Sequence, residues 1–249
     1  MDDAQLRVGC SGWSYSDWRG PVYPTDLPQR AWFDHYQQLF DTVELNSTFY
    51  RLPTPEAADR WAAAARPGFL YALKLGAFGS HRKKLANSAT WLPKHLDRAS
   101  RLGEHLGPTL VQLPPSWKRN ASRLDEFLHA VPSTMRWAVE LRDRSWLHDD
   151  VFEVLRQHSA ALTIHDLLSD HPLEMTTDWT YIRFHGPDAI RNRYHGSYGE
   201  VRLRAWADRL RPLLDRGLAV FAYFNNDWDG HAVSDALLLR GQLRGSAKV

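Results

Sequence analysis

Residues Trp137-Ala138-Val139-Glu140-Leu141-Arg142 carry the pattern on which the fold reading turns. The run is too short for a buried helix, and its β-branched and aromatic content suits a strand covered on both faces. Seven other runs have the same character. They are Leu6 to Cys10, Thr42 to Leu45, Leu70 to Leu75, Thr109 to Leu113, Ala161 to His165, Tyr181 to His185 and Ala219 to Phe224.

Amphipathic stretches separate most of these runs. Thr54 before Pro55 is a cap-and-start signal for a helix carrying Ala57, Trp61 and Ala65. Ser122 with Asp125 resembles a capping box ahead of Phe127 and Leu128. Leu203, Trp206, Leu210, Leu213 and Leu214 keep helical spacing up to Gly217, with Pro212 expected to kink or restart the helix. Helices are also expected over residues 29–40, 91–106, 149–158 and 230–243. Between the sixth and seventh runs, Leu167 to Asp178 is too short and broken for one.

Alternating strands and helices imply parallel strands joined by crossovers. Eight such units predict one (β/α)8 TIM-barrel-like domain, α/β in class, over residues 1–249. A doubly wound sheet is the alternative. Neither a G-x-G-x-x-G after the first strand nor a P-loop motif occurs, so nothing supports a dinucleotide or nucleoside-triphosphate site.

Composition narrows the function classes. Of 249 residues, 43% are hydrophobic and 24% charged, as in globular proteins. Lys and Arg total 31 against 29 Asp and Glu, leaving +2, a weak excess for a protein gripping duplex phosphates. One cysteine, Cys10, excludes an intrachain disulfide and a cysteine-built zinc site. The acidic start, Met1-Asp2-Asp3-Ala4, lacks the apolar core of a signal peptide, and no run is long enough to cross a bilayer. The expectation is a cytoplasmic protein without membrane contact.

In a barrel, reactive groups sit where strands end. Those positions hold Ser11 and Trp13, Glu44 and Asn46, Lys74, Gln112, Glu140 and Arg142, Asp166, Arg183 and His185, and Asn225, Asn226 and Asp227. Glu44/Asn46, Glu140/Arg142 and Arg183/His185 are each two apart, so each pair faces one side of its strand. Charges inside apolar runs need partners, because an unpaired buried charge costs several kcal/mol. Their expected convergence on one mouth is the main functional signal. The structural alternative is an ion network closing the barrel. Five of eleven Trp, namely Trp13, Trp18, Trp117, Trp146 and Trp228, follow strand ends with Tyr50, Tyr194 and Tyr198 nearby, as aromatic walls of a small-molecule pocket would. Trp32, Trp61 and Trp206 read as core, and Cys10 as packing.

The blocks Gly9-Cys10-Ser11-Gly12-Trp13-Ser14-Tyr15, Val43-Glu44-Leu45-Asn46-Ser47-Thr48-Phe49-Tyr50 and Ser80-His81-Arg82-Lys83-Lys84-Leu85 add a second line of reading. With Gln112-Leu113-Pro114-Pro115, Ala138 to Arg142, Ser145-Trp146, Arg183-Phe184-His185-Gly186 and Phe224-Asn225-Asn226-Asp227, the chain resembles the YecE-like family over Val8 to about Leu243. Ser80 stands where that family more often has Thr. The resemblance implies a TIM-barrel-like fold related to sugar-isomerase and endonuclease-IV-like barrels. It brings no established activity and no agreed catalytic residues.

The leading expectation is an enzyme of isomerase- or hydrolase-like acid/base chemistry on a small polar, anionic or sugar-like ligand. Glu44, Glu140 and His185 are the candidate catalytic groups. Ser11, Trp13, Asn46, Lys74, His81, Gln112, Arg142, Trp146, Asp166, Arg183, Tyr194, Asn225 and Asn226 are the candidate ligand contacts, with Arg and Lys for an anionic group. No cofactor is expected; a metal-assisted variant would place a divalent ion among Glu44, Glu140, Asp166 and His185. The alternatives are a nucleic-acid-processing or nucleic-acid-binding barrel, suggested by Arg82-Lys83-Lys84 and Lys118-Arg119, and a non-catalytic ligand-binding protein.

Overall fold

The computed structural model of the protein describes residues 5–245; the N-terminal reading of Met1 to Ala4 lies outside them. Eight strands form where the apolar runs lie. They are β1 (Leu6–Cys10), β2 (Thr42–Leu45), β3 (Leu70–Lys74), β4 (Leu106–Gln112), β5 (Trp137–Glu140), β6 (Ala161–His165), β7 (Trp179–Phe184) and β8 (Ala219–Phe224). The helices are α1 (Trp32–Leu39), α2 (Ser47–Tyr50), α3 (Pro55–Ala64), α4 (Leu92–Ser100), α5 (Ala121–Ala130), α6 (Asp149–Gln157), α7 (Gly199–Asp215) and α8 (His231–Arg244). Every strand except β6 is followed by a helix, which is the order of the (β/α)8 barrel class. No helix among the described residues is long and apolar enough to cross a membrane.

The chain divides into two compact units. The first comprises Met1–Val43, His165–Ser169 and Asp178–Val249, and the second Glu44–Ile164 and Asp170–Thr177.

In the first unit β1, β8 and β7 pair in parallel, Val8 opposite Ala222 and Arg183 opposite Tyr223. These strands are buried, and α7 and α8 pack on one another, with α8 also against β1. Phe184 and Phe224 stack at 4.4 Å between adjacent strands. Tyr36 of α1 ties the start of β2 to the end of β1: its hydroxyl accepts from Cys10 N at 2.9 Å and donates to Thr42 O at 3.1 Å. Cys10 is wholly buried, and burial pushes its thiol far above the ordinary range, so it packs rather than reacts. Pro212 lies inside α7, which continues through it to Asp215 without the expected restart.

In the second unit β3, β4, β5 and β6 pair in parallel, Val111 opposite Val139 and Gln112 opposite Glu140. Leu124 and Phe127 of α5 and Val151 and Leu155 of α6 bury their apolar stripes with Trp137, Trp146 and Leu162. Each such side chain contributes about 1.5–3 kcal/mol by leaving water. Thr54 caps α3 as expected, accepting from Ala57 N at 3.2 Å. The cap of α5 is Asn120, accepting from Arg123 N at 2.9 Å, so Ser122 lies two residues inside the cap position, within the first turn. The helix-free segment after β6 is pinned instead by Thr176, whose hydroxyl accepts from Leu162 N at 2.9 Å and donates to Ala160 O at 2.7 Å.

The tightest approach in the first unit is at Gly9, where a Cβ would stand 2.3 Å from Thr42 O. Gly9→Ala is therefore expected to destabilise by about 1–3 kcal/mol, as overpacking against an immovable group does. Gly241→Ala, with open space around it in α8, should leave the melting temperature unchanged or raise it. Calorimetry of both variants checks this; equal melting of Gly9→Ala and the parent would show that the contact relaxes.

Candidate functional site

The second unit gathers the ends of β3, β4 and β5. Parallel register sets Gln112 beside Glu140, and Arg142 follows on the same side. Glu140 is wholly buried and accepts a short hydrogen bond from Arg142 Nε, so its charge is matched where water cannot reach it. Lys74 is also buried. Its Nζ lies 3.4 Å from Asn46 Oδ1 and 4.5 Å above the Phe49 ring. Its backbone N–H is held by Thr48 Oγ1 at 3.1 Å, which fixes β3 against α2. Glu44 is wholly buried at the end of β2.

His81 joins this group from a π-helical turn, Phe78–Arg82. Its ring meets Phe49 edge-on at 4.9 Å. Nδ1 lies 3.0 Å from Ser80 Oγ and Nε2 3.4 Å from Gln112 Nε2. The one Ser80 hydroxyl proton goes to Gly76 O at 3.1 Å. Oγ therefore accepts from Nδ1–H, and the lone pair sits on Nε2. Burial, then the positive charges of Lys74 and Arg142, hold the His81 pKa below its ordinary value against the opposing pull of Glu140.

The first unit holds a different cluster. Asp166 accepts from His185 N and from His185 Nδ1, each at 3.0 Å, and closely from the Tyr198 hydroxyl. Tyr198 Oη in turn accepts from Gly186 N at 2.7 Å. Arg183 Nη1 donates to His185 Nε2 at 3.1 Å; a guanidinium cannot accept, so that nitrogen is the acceptor of a neutral ring. Arg183 and His185 are both wholly buried. This chain reads as a satisfied internal network. Protonating His185 would set a second cation against Arg183.

The remaining expected contacts divide by environment. Ser11 is buried and bonded through its backbone, N to Phe224 O at 2.8 Å. Trp13 packs on Phe33 at 4.9 Å and stays half-exposed. Tyr194, with a left-handed φ of 73°, stands 6.2 Å from the His185 ring. Asn225 is buried, its N–H donating to Phe184 O at 2.7 Å. Asn226 Nδ2 donates to Gly196 O at 2.8 Å and to Asp235 Oδ2 at 2.7 Å, tethering the loop before α7. Trp146 lies wholly in the core, its Nε1 donating to Trp117 O at 2.5 Å, and Trp18 is equally buried. Trp32 is core as expected, whereas Trp61 and Trp206 are half-buried.

Several contributors escape a reading of strand ends alone. Ser80 sets the His81 tautomer, Phe49 separates Lys74 from His81, and Tyr198 and Asp235 organise the first unit. Tyr198 had a signal as an aromatic near a strand end, and Ser80 and Phe49 lie in the family-like blocks, which assign them no role. Of the basic clusters, Lys118 pairs with Asp143 at 3.0 Å and Arg119 with Asp150 at 3.2 Å. Among the described residues, no group of three or more His, Cys, Asp or Glu side chains is arranged to hold a metal ion.

Comparison with known proteins places this geometry in context. The family model described as "Protein of unknown function DUF72" matches residues 7–249. The UPF0759 protein YecE of Escherichia coli strain K12 is 30% identical over 138 residues, 55% of this chain and 48% of that protein. That match thus spans about half of YecE. The UPF0759 protein YunF of Bacillus subtilis strain 168 is 25% identical over 92% of both chains. Among solved structures, a DUF72 family protein of Thermotoga maritima is similar with a TM-score of 0.86 and 28% identity, over 96% of this chain and 99% of that one. An Enterococcus faecalis DUF72 family protein shares the fold with a TM-score of 0.79 at 20% identity, over 96% and 95% of the two chains.

One further strand-end group has a measurable signature. Burial, reinforced by Asp17, pushes the Asp227 carboxyl up to about 6 against its own backbone hydrogen bond and His195. Because the native carboxyl ionises later than the unfolded one, stability is full below the ordinary carboxylate range and falls as pH rises through about 6. Asp227→Asn should therefore raise the melting temperature near neutral pH and change it little at about pH 4. An equal gain at both pH values would show that ionisation is not the cause.

Proposed function

The chain belongs to the DUF72 family, whose description names no reaction, and we propose that it is an acid/base enzyme acting on a small anionic, sugar-like ligand. The observation that carries this reading is His81. A ring neutral at pH 7, with its lone pair on Nε2, lies in electrostatic reach of Lys74, Arg142 and Glu140. A general base needs that protonation state, and the two cations that keep the ring neutral also suit an anionic substrate.

The roles follow from the contacts. Lys74 and Arg142 bind the anionic group, Lys as a point charge and Arg through its planar guanidinium. Glu140 orients Arg142 and is committed to that pair, so proton transfer passes to His81 rather than to Glu140 or to the Arg183-bound His185. Asn46 and Gln112, already facing Lys74 and His81, hold substrate hydroxyls. Glu44, wholly buried in β2 two residues before Asn46, is the second acid/base group. Bound anion would raise the His81 pKa by offsetting the two cations, so the imidazole strengthens as a base when substrate arrives.

A panel of sugar phosphates and sugar acids, screened by thermal shift and then for turnover, tests the reading. At least one should raise the melting temperature saturably. Lys74→Met should weaken its binding about tenfold or more, and His81→Gln should retain binding while lowering kcat about 100-fold or more. The parent enzyme should lose kcat/KM towards acid pH with a midpoint below the ordinary histidine value. Full turnover by His81→Gln, or stabilisation by no member of the panel, would overturn the assignment.

A further inference from the structure

The second unit contains a cavity of about 390 Å3 that shares none of its lining residues with the group proposed to do chemistry. Leu52, Leu75, Phe78 and Trp91 make its walls, His95 lines it from α4, and Lys83 and Lys94 are exposed at its edge. Trp91 is fixed: its Nε1 donates to Ala86 O at 2.9 Å and its ring stacks on Phe127 at 6.0 Å. Gly79 permits that position, since a Cβ there would fall 2.5 Å from the Trp91 ring. The wall is therefore preformed.

His95 is the feature that packing does not explain. It is only 4% exposed, and neither Nδ1 nor Nε2 has a hydrogen-bond partner. Trp137, its ring centroid 6.3 Å away, offers the ring nitrogens no hydrogen bond. Burial lowers its pKa to about 4, so at neutral pH the ring presents one N–H donor and one lone pair. Leaving both unmet in an apolar lining forfeits the hydrogen bonds each would make in water. A leucine would fill the same stripe of α4 without that cost.

We propose that this cavity binds a small aromatic acid whose ring lies along Trp91, whose hydroxyl meets His95, and whose carboxylate is held by Lys83 and Lys94. A hydroxyl both donates and accepts, so it satisfies whichever ring nitrogen faces it. The cavity volume is in the range of small-ligand pockets, and a single-ring acid fits with space for water at the lysine end. Lys83 already lies 5.5 Å from the Phe78 ring, so a carboxylate there meets a cation held by an aromatic face.

Three probes separate the contributions: 4-hydroxyphenylacetate, phenylacetate without the hydroxyl, and the methyl ester without the charge. Titration of the full chain is followed by tryptophan fluorescence and by melting temperature. The parent should bind 4-hydroxyphenylacetate saturably, about threefold to tenfold more tightly than either analogue, as one net hydrogen bond or ion contact allows. His95→Leu should erase the preference for the hydroxyl while keeping that for the acid, and should melt no lower than the parent without ligand. The double variant Lys83→Gln, Lys94→Gln should erase the preference for the acid alone. It keeps the test open if His95→Leu does not fold. Absence of saturable binding, or preferences unmoved by these variants, would overturn the site.

Discussion

A carboxylate that is entirely shut away from water has to be matched, and in this protein Glu140 is matched by Arg142, two residues later on the same side of the chain. Much of the second unit's chemistry depends on that pairing. It lets a strand of the apolar sheet end in charge without an unbalanced ion, beside the end of β4, where Gln112 is in register with Glu140. The ion pair is a costly way to stabilise a fold, since well-packed apolar residues would serve as well. Its value lies in position: it sets a cation near His81.

The same unit shows how burial and charge divide labour between two histidines. His81 is half-buried, held by Ser80 and Gln112, and kept neutral by burial and by cations that a ligand could offset. His95 is almost fully buried and kept neutral by burial alone, with its nitrogens unmet. In the first unit His185 is satisfied on both sides by Asp166 and Arg183. Three imidazoles in three environments thus have three chemistries: His185 has a defined tautomer but is engaged on both nitrogens, whereas His81 combines a defined tautomer with cations that a ligand could offset.

Much of the fold is legible in the chain because the strands are buried and short, so each reads as a compact apolar run with β-branched and aromatic residues. β1, β2, β6 and β8 begin and end with their apolar runs. Local signals fail where a competing residue does the same task. Asn120 caps α5 two residues before Ser122, and α7 runs on through Pro212 to Asp215. The strand-end polar groups are equally legible, but their roles are not. Trp146 follows a strand as a pocket wall would, yet packs in the core; Glu140 and His185 read as acid/base groups, yet each is committed to an arginine. Ser80 and Phe49 stand in blocks the sequence picks out, but their roles are not legible there, because their effect comes from distances to His81 that only the folded loops define.

The protonation state of His81 is the direct test. Long-range proton–nitrogen correlation spectra of ring-labelled protein, with His81→Gln to assign the signal, report tautomer and titration together. The expected result is a neutral ring carrying its proton on Nδ1 at pH 7 and titrating below the ordinary histidine value of about 6.5. A proton on Nε2, or titration at or above that value, would contradict the assignment of His81 as the base.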